Sequence, residues 1–205
     1  MNWDAGTLIY IQEHIRSDVF TPFMKFITHT GDSGLIWIIL CIALVLIPKT
    51  RKLGIIAGTS IALEAVITNL IIKNAVARTR PYEAVEGLVN LIEKQKDYSF
   101  PSGHSGASFA VAGALLVVAL LGIPVAEKSG KISREKAKGS YKILAVISLV
   151  YATLIAFSRL YVGVHYPTDV IGGILLGLAT SFIAYFVFHK TAMYISKRKS
   201  EKQQS

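Results

Sequence analysis

The fold class this sequence predicts is an all-α, polytopic membrane helix bundle. Three observations predict it. Apolar residues run in long blocks, basic residues gather in alternate linkers, and polar clusters border the blocks at one set of ends. Apolar residues make up 52% of the 205-residue chain and mean hydropathy is +0.49. That is only mildly above a soluble domain, so the distribution carries the argument rather than the amount.

Five strong apolar blocks cover about 33–48, 53–77, 105–126, 141–158 and 169–189. Each is close to the ~20 residues that cross a ~30 Å hydrocarbon layer as a helix. Backbone polar groups cannot stay unpaired in lipid, and the two-residue alternation of a membrane barrel is absent, so the blocks are read as helices. The first 30 residues differ. Trp3, Leu8, Ile11, Phe20 and Phe23 alternate with Asp4, Glu13, Arg16, Asp18 and Lys25. Residues 1–30 are therefore expected to form an amphipathic interfacial segment, broken at Thr21-Pro22, with a sixth, weakly apolar span left open. Met1-Asn2-Trp3-Asp4 lacks a basic flank and a cleavage site, so no cleavable signal peptide is expected. The lone Cys41 lies in an apolar block; one cysteine makes no intrachain disulfide and no cysteine-based zinc site.

The net charge of +9 would suggest nucleic acid in a soluble protein, but its placement gives another explanation. More than half of the 22 Lys and Arg lie in three segments: Lys49, Arg51 and Lys52; Lys128, Lys131, Arg134, Lys136, Lys138 and Lys142; and Lys190, Lys197, Arg198, Lys199 and Lys202. With five spans all three fall on one face, and short basic loops stay cytoplasmic. Nucleic acid is disfavoured as a partner; the bilayer is the expected one. The loops 78–104 and 159–168 then lie on the extracytoplasmic side.

Those loops carry the chemistry. Lys73 ends an apolar block and Arg80-Pro81 follows it; if the helix continues, the two cations share a face and suit an anion. Ser102-Gly103-His104 precedes the 105–126 block. A helix start of this kind aims free N–H groups at a phosphate, Gly103 permits close approach, and His104 can exchange a proton. Arg159 closes one block; His165 and Asp169 open the next, with Pro167 at the helix start. A carboxylate four residues after a histidine can orient it through Nδ1–H and free Nε2 to attack. Taken singly, each cluster reads as snorkelling or capping. Together they put two histidines, a carboxylate and three cations on one membrane face, where ionisable groups are costly. Phosphoryl transfer needs positioning and charge stabilisation, which Lys73, Arg80 and Arg159 can supply. No paired acidic cluster suits magnesium, so no metal and no cofactor are expected.

Lys73 with Arg80-Pro81, then Pro101-Ser102-Gly103-His104, then Ser158-Arg159, His165 and Asp169 resemble, complete and in order, the three signatures of the type 2 phosphatidic acid phosphatase superfamily. The resemblance covers about 70–189, departs at no catalytic position, and leaves the first 30 residues outside. It implies that His165 attacks phosphorus to form a phosphohistidine, that Asp169 orients it, and that His104 protonates the leaving oxygen and then helps activate water. Lys73, Arg80, Arg159, Ser102 and Gly103 would hold the phosphate. It also implies metal independence, inhibition by vanadate, and a lipid phosphate substrate such as phosphatidylglycerol phosphate, undecaprenyl pyrophosphate or phosphatidic acid. On this reading residues 31–195 form one transmembrane phosphatase domain, acting as a monomer, and 196–205 a polar cytoplasmic tail. Two alternatives share the residues: a phosphotransferase with the same intermediate, and a non-catalytic binder or transporter of phosphorylated lipids.

Overall fold

The structure, a computed structural model, describes residues 3–126, 132–135 and 139–204. Helix α1 (Trp3–His14) is followed by α2 (Phe20–Thr30) and α3 (Leu35–Leu46). Between the last two, a 3₁₀ turn at Asp32–Gly34 places Ser33 at φ 53° and Gly34 at φ 67°, and the helices meet at 48°. Twelve residues of α3 rise about 18 Å, short of the ~30 Å layer. The block expected over 33–48 reaches spanning length only together with α2.

Helix α4 (Arg51–Val66) continues through a π-helical stretch (Ile67–Ile72) into α5 (Lys73–Val76). After the short α6 (Pro81–Ala84) come α7 (Gly103–Leu121), α8 (Gly139–Tyr161) and α9 (Pro167–Gln204). Four segments, Arg51–Ala84, Gly103–Leu121, Gly139–Tyr161 and Pro167–Arg198, are long and apolar enough to cross a membrane, and the bent α2–α3 pair makes a fifth. The block expected over 105–126 is helical only to Leu121. Gly122, at φ 78°, leaves the helix, and β1 (Ile123–Ala126) pairs antiparallel with β2 (Ile132–Glu135). Lys128, Lys131, Lys136 and Lys138 of the basic linker, and Ser205 of the tail, lie outside the described residues.

Helix α7 is the hub, burying Ala110, Val111, Ala114, Leu115 and Val118. Its contact with α9 is backbone on backbone. A Cβ at Gly173 would come within 2.4 Å of the Ser102 carbonyl, and one at Gly177 within 2.4 Å of the Gly106 carbonyl. Lipid supplies no hydrophobic drive between helices, so small residues that admit close packing hold such a bundle together. The two ends of the bundle are distinct. At one, Tyr141 donates to the Lys49 carbonyl (2.8 Å) and Tyr185 to that of Gly122 (3.0 Å). At the other, the Leu91 N–H donates to the Val162 carbonyl (3.1 Å), gathering the 77–102 and 162–166 loops. Lys49, Gly122, Tyr141 and Tyr185 thus lie at one end, and the 77–102 and 162–166 loops at the other.

Candidate active site

The three polar clusters meet at the loop-rich end of the bundle. Lys73, Arg80, Arg159 and His165 are all buried, and together with His104 and Gly103 they line the polar end of a cavity of about 1190 Å³. The rest of that cavity runs between α3 and α4 past Ile38, Cys41, Val45 and Gly58, so a charged end opens into an apolar groove.

Arg80 reaches the site by a different route from the one expected. It does not share a helix face with Lys73. Helix α5 stops at Val76, Ala77 turns left-handed at φ 48°, and Arg80 is extended at φ −73°, ψ 149°. The residue before a proline is pushed out of the helical region, and Pro81 starts α6. The guanidinium then donates to the Val164 carbonyl (2.9 Å) and to the Asp97 backbone (2.9 Å) and carboxylate (2.6 Å). Its Nη1 also lies 3.3 Å from His165 Nε2.

His165 sits in the tight loop between α8 and α9, where Gly163 adopts φ 81°. Its Nδ1 is 3.5 Å from Asp169 Oδ2, close enough to orient the ring but longer than a full hydrogen bond. That oxygen already accepts from Ser99 Oγ and from the Tyr166 N–H (2.8 Å). Burial, first of all, together with Arg159 and Arg80 holds His165 down at about 3, against the pull of Asp169, so the imidazole is neutral near pH 7. Neutral Nε2 facing cations is the form a nucleophile needs.

Arg159 is 1% exposed; Nη1 donates to Thr28 Oγ1 (2.6 Å), while Nε is buried with no partner among the described residues. A buried guanidinium N–H without an acceptor is costly, and an anion in the cavity would satisfy it. Ser102 caps α7: its Oγ accepts from Ser105 N–H (3.4 Å) and Ser105 Oγ (3.0 Å). The first N–H groups of α7 have no acceptor within the helix. A Cβ added at Gly103 would lie 4.0 Å from Lys73 Nζ, so ammonium and helix start face one spot.

Several residues of the site carry no signal in the sequence pattern. Asp97 bridges Lys73 and Arg80, and these two cations outweigh its burial to hold it at about 2. Arg78 donates to Asp169 Oδ1 (2.6 Å), Thr168 Oγ1 (2.6 Å) and Asp4 Oδ2 (2.6 Å), and stacks 3.8 Å from the Tyr166 ring centroid. Asp4 also accepts from the Thr168 N–H (3.0 Å), so α1 is bound into the back of the site. Asp32 Oδ1 lies 2.9 Å from His104 Nε2. Arg78 stands two residues before Arg80 and its charge was visible; the others are acids or hydroxyls from distant segments.

The site and fold together define a class: a membrane helix bundle with a buried cluster of cations and histidines at one end of an apolar cavity. Comparison with known families agrees. Residues 53–193 match the model of the PAP2 superfamily, and the chain belongs to that family. Over 149 residues it is 34% identical to a Sulfolobus acidocaldarius protein named undecaprenyl-diphosphatase, a match covering 73% of this chain and 62% of that protein. Over 117 residues it is 32% identical to phosphatidylglycerophosphatase B of Bacillus subtilis, covering 57% of this chain and 49% of the relative. In both cases less than two thirds of the relative's length is spanned. The crystal structure of a transmembrane PAP2 type phosphatidylglycerolphosphate phosphatase from Bacillus subtilis superposes with a TM-score of 0.67 at 26% identity, covering 91% of this chain and 85% of that one. The chain is a multi-pass membrane protein of this fold.

Proposed function

We propose that the protein hydrolyses a lipid phosphomonoester or pyrophosphate through a phosphohistidine, at the extracytoplasmic face and without a metal. The observation that carries this reading is the meeting of His165 Nε2 with Arg80 (3.3 Å), beside Lys73 and the unpartnered Nε of Arg159, at the charged end of an apolar cavity. His165 Nε2 attacks phosphorus. Lys73, Arg80, Arg159 and the Gly103 N–H take the equatorial oxygens, supplying the charge stabilisation on which phosphoryl transfer chiefly depends. His104 gives its proton to the leaving lipid oxygen; water then attacks the phosphohistidine, its proton returns to His104, and phosphate leaves. The apolar groove suits acyl or prenyl tails. Candidate substrates are the phosphatidylglycerol phosphate and undecaprenyl pyrophosphate implied by the relatives' names, and phosphatidic acid. The basic stretch Lys49, Arg51 and Lys52 at the opposite end supports the extracytoplasmic placing of the site.

Phosphate release by purified protein in detergent with EDTA, measured on these three lipids side by side, tests the reading. Release from at least one of them, lost in His165→Ala, is the expected result. Release that persists in His165→Ala, or that EDTA abolishes, overturns the mechanism.

A further inference from the structure

The bend between α2 and α3 lies outside the residues matched by the family and outside all three signatures, yet it touches the acid side of the site. Gly31 brings the bend against the His104 ring: a Cβ there would come within 2.9 Å of His104 Cδ2 and 3.1 Å of Ile155 Cγ2. The next residue, Asp32, places Oδ1 2.9 Å from His104 Nε2 and Oδ2 2.9 Å from His29 Nδ1. With Cδ2 on Gly31 and Nε2 on Asp32, the opposite ring edge carries the other nitrogen, Nδ1. His104 lines the cavity with Lys73 and Arg159. The groups facing Asp32 are His29 and His104.

We propose that Asp32 is a positioning residue for His104, accepting Nε2–H so that Nδ1 faces the scissile oxygen. The inference rests on the reading of His104 as general acid. A carboxylate that fixes a histidine's tautomer and supports its charged form is the established logic of histidine catalysis. The proton count closes. As the His165–phosphorus bond forms and the phosphorus–lipid oxygen bond breaks, the Nδ1 proton passes to that oxygen and leaves neutral His104 with Nε2–H on Asp32. When water attacks phosphorus, one of its protons returns to Nδ1, the nitrogen–phosphorus bond gives its electron pair back to His165, and the imidazolium is restored.

The test compares kcat on an alkyl phosphate, whose leaving group needs a proton, with an aryl phosphate of low leaving-group pKa. Asp32→Asn should slow the alkyl ester about 10- to 100-fold and the aryl ester less than about 3-fold, with Asp32→Glu recovering part of the loss. His104→Ala should show the same preference more strongly, and Asp32→Asn should cost nothing further in that background. Equal loss on both esters in Asp32→Asn, or additional loss in the His104→Ala background, marks Asp32 as merely structural and overturns the pairing alone. Equal loss on both esters in His104→Ala overturns the acid role and the pairing with it.

Discussion

His165 takes its carboxylate from four residues further along the same turn, whereas His104 takes its carboxylate from a helix bend 72 residues earlier. Asp169 is fully buried and every oxygen is engaged, by Ser99, the Tyr166 N–H and Arg78. Asp32 is 54% exposed and shares its carboxylate with a half-exposed His29. The difference fits the two roles proposed for these histidines. A nucleophile must stay neutral and fixed in direction, which a dry site beside a firmly held carboxylate favours. An acid that gives and regains a proton works beside water, and its partner can remain partly solvated.

This contrast can be broken most sharply at Asp169. Asp169→Asn keeps the shape but offers Arg78, Ser99 and Tyr166 a poorer acceptor and lets His165 turn; kcat should fall about 10²-fold or more, on alkyl and aryl esters alike. Unequal loss between the two esters would erase the distinction between the two sides. A smaller effect is expected one step further back. Arg78→Met leaves Asp169 and Asp4 buried without their common cation, and kcat should fall about 10-fold with KM little changed. A rise in KM at constant kcat would show that Arg78 serves substrate binding instead. The smallest effect concerns Asp97, the half-exposed acid on the cation side. Its folded value of about 2 lies below the ordinary 3.8, so its contribution to stability is present above about 3.8 and disappears as pH falls towards 2. Thermal unfolding of Asp97→Asn should trail the parent protein at about pH 5 and converge with it at about pH 2; a gap that stays constant would mean that the carboxylate is not held by Lys73 and Arg80.

Much of the architecture was legible because membrane helices are written locally. Apolar blocks and the helix starts at Gly103 and Pro167 each depend on a few neighbouring residues, and the structure begins α7 and α9 at those two starts. The motif residues were legible for the same reason. What stayed hidden depends on backbone detail or on distant partners. The left-handed Ala77 that turns Arg80 out of the helix has no glycine to announce it. The hairpin after Gly122 interrupts a block whose hydropathy gives no warning of a strand. Asp4, Thr28 and Asp32 look like ordinary polar punctuation; only the packing of α1, α2 and the turn after α2 on α7, α8 and α9 turns them into partners of Arg78, Arg159 and His104.

The brace at Asp4 has a consequence for biosynthesis. Its carboxylate grips Arg78, 74 residues later, and Thr168, 164 residues later, and no contact with Thr168 can exist until the last span is being made. The brace behind Asp169 therefore closes last, when the opening helix of the nascent chain folds back onto the final one. A chain stalled after α8 would lack both His165 and Asp169, so on the proposed mechanism truncated products would be idle.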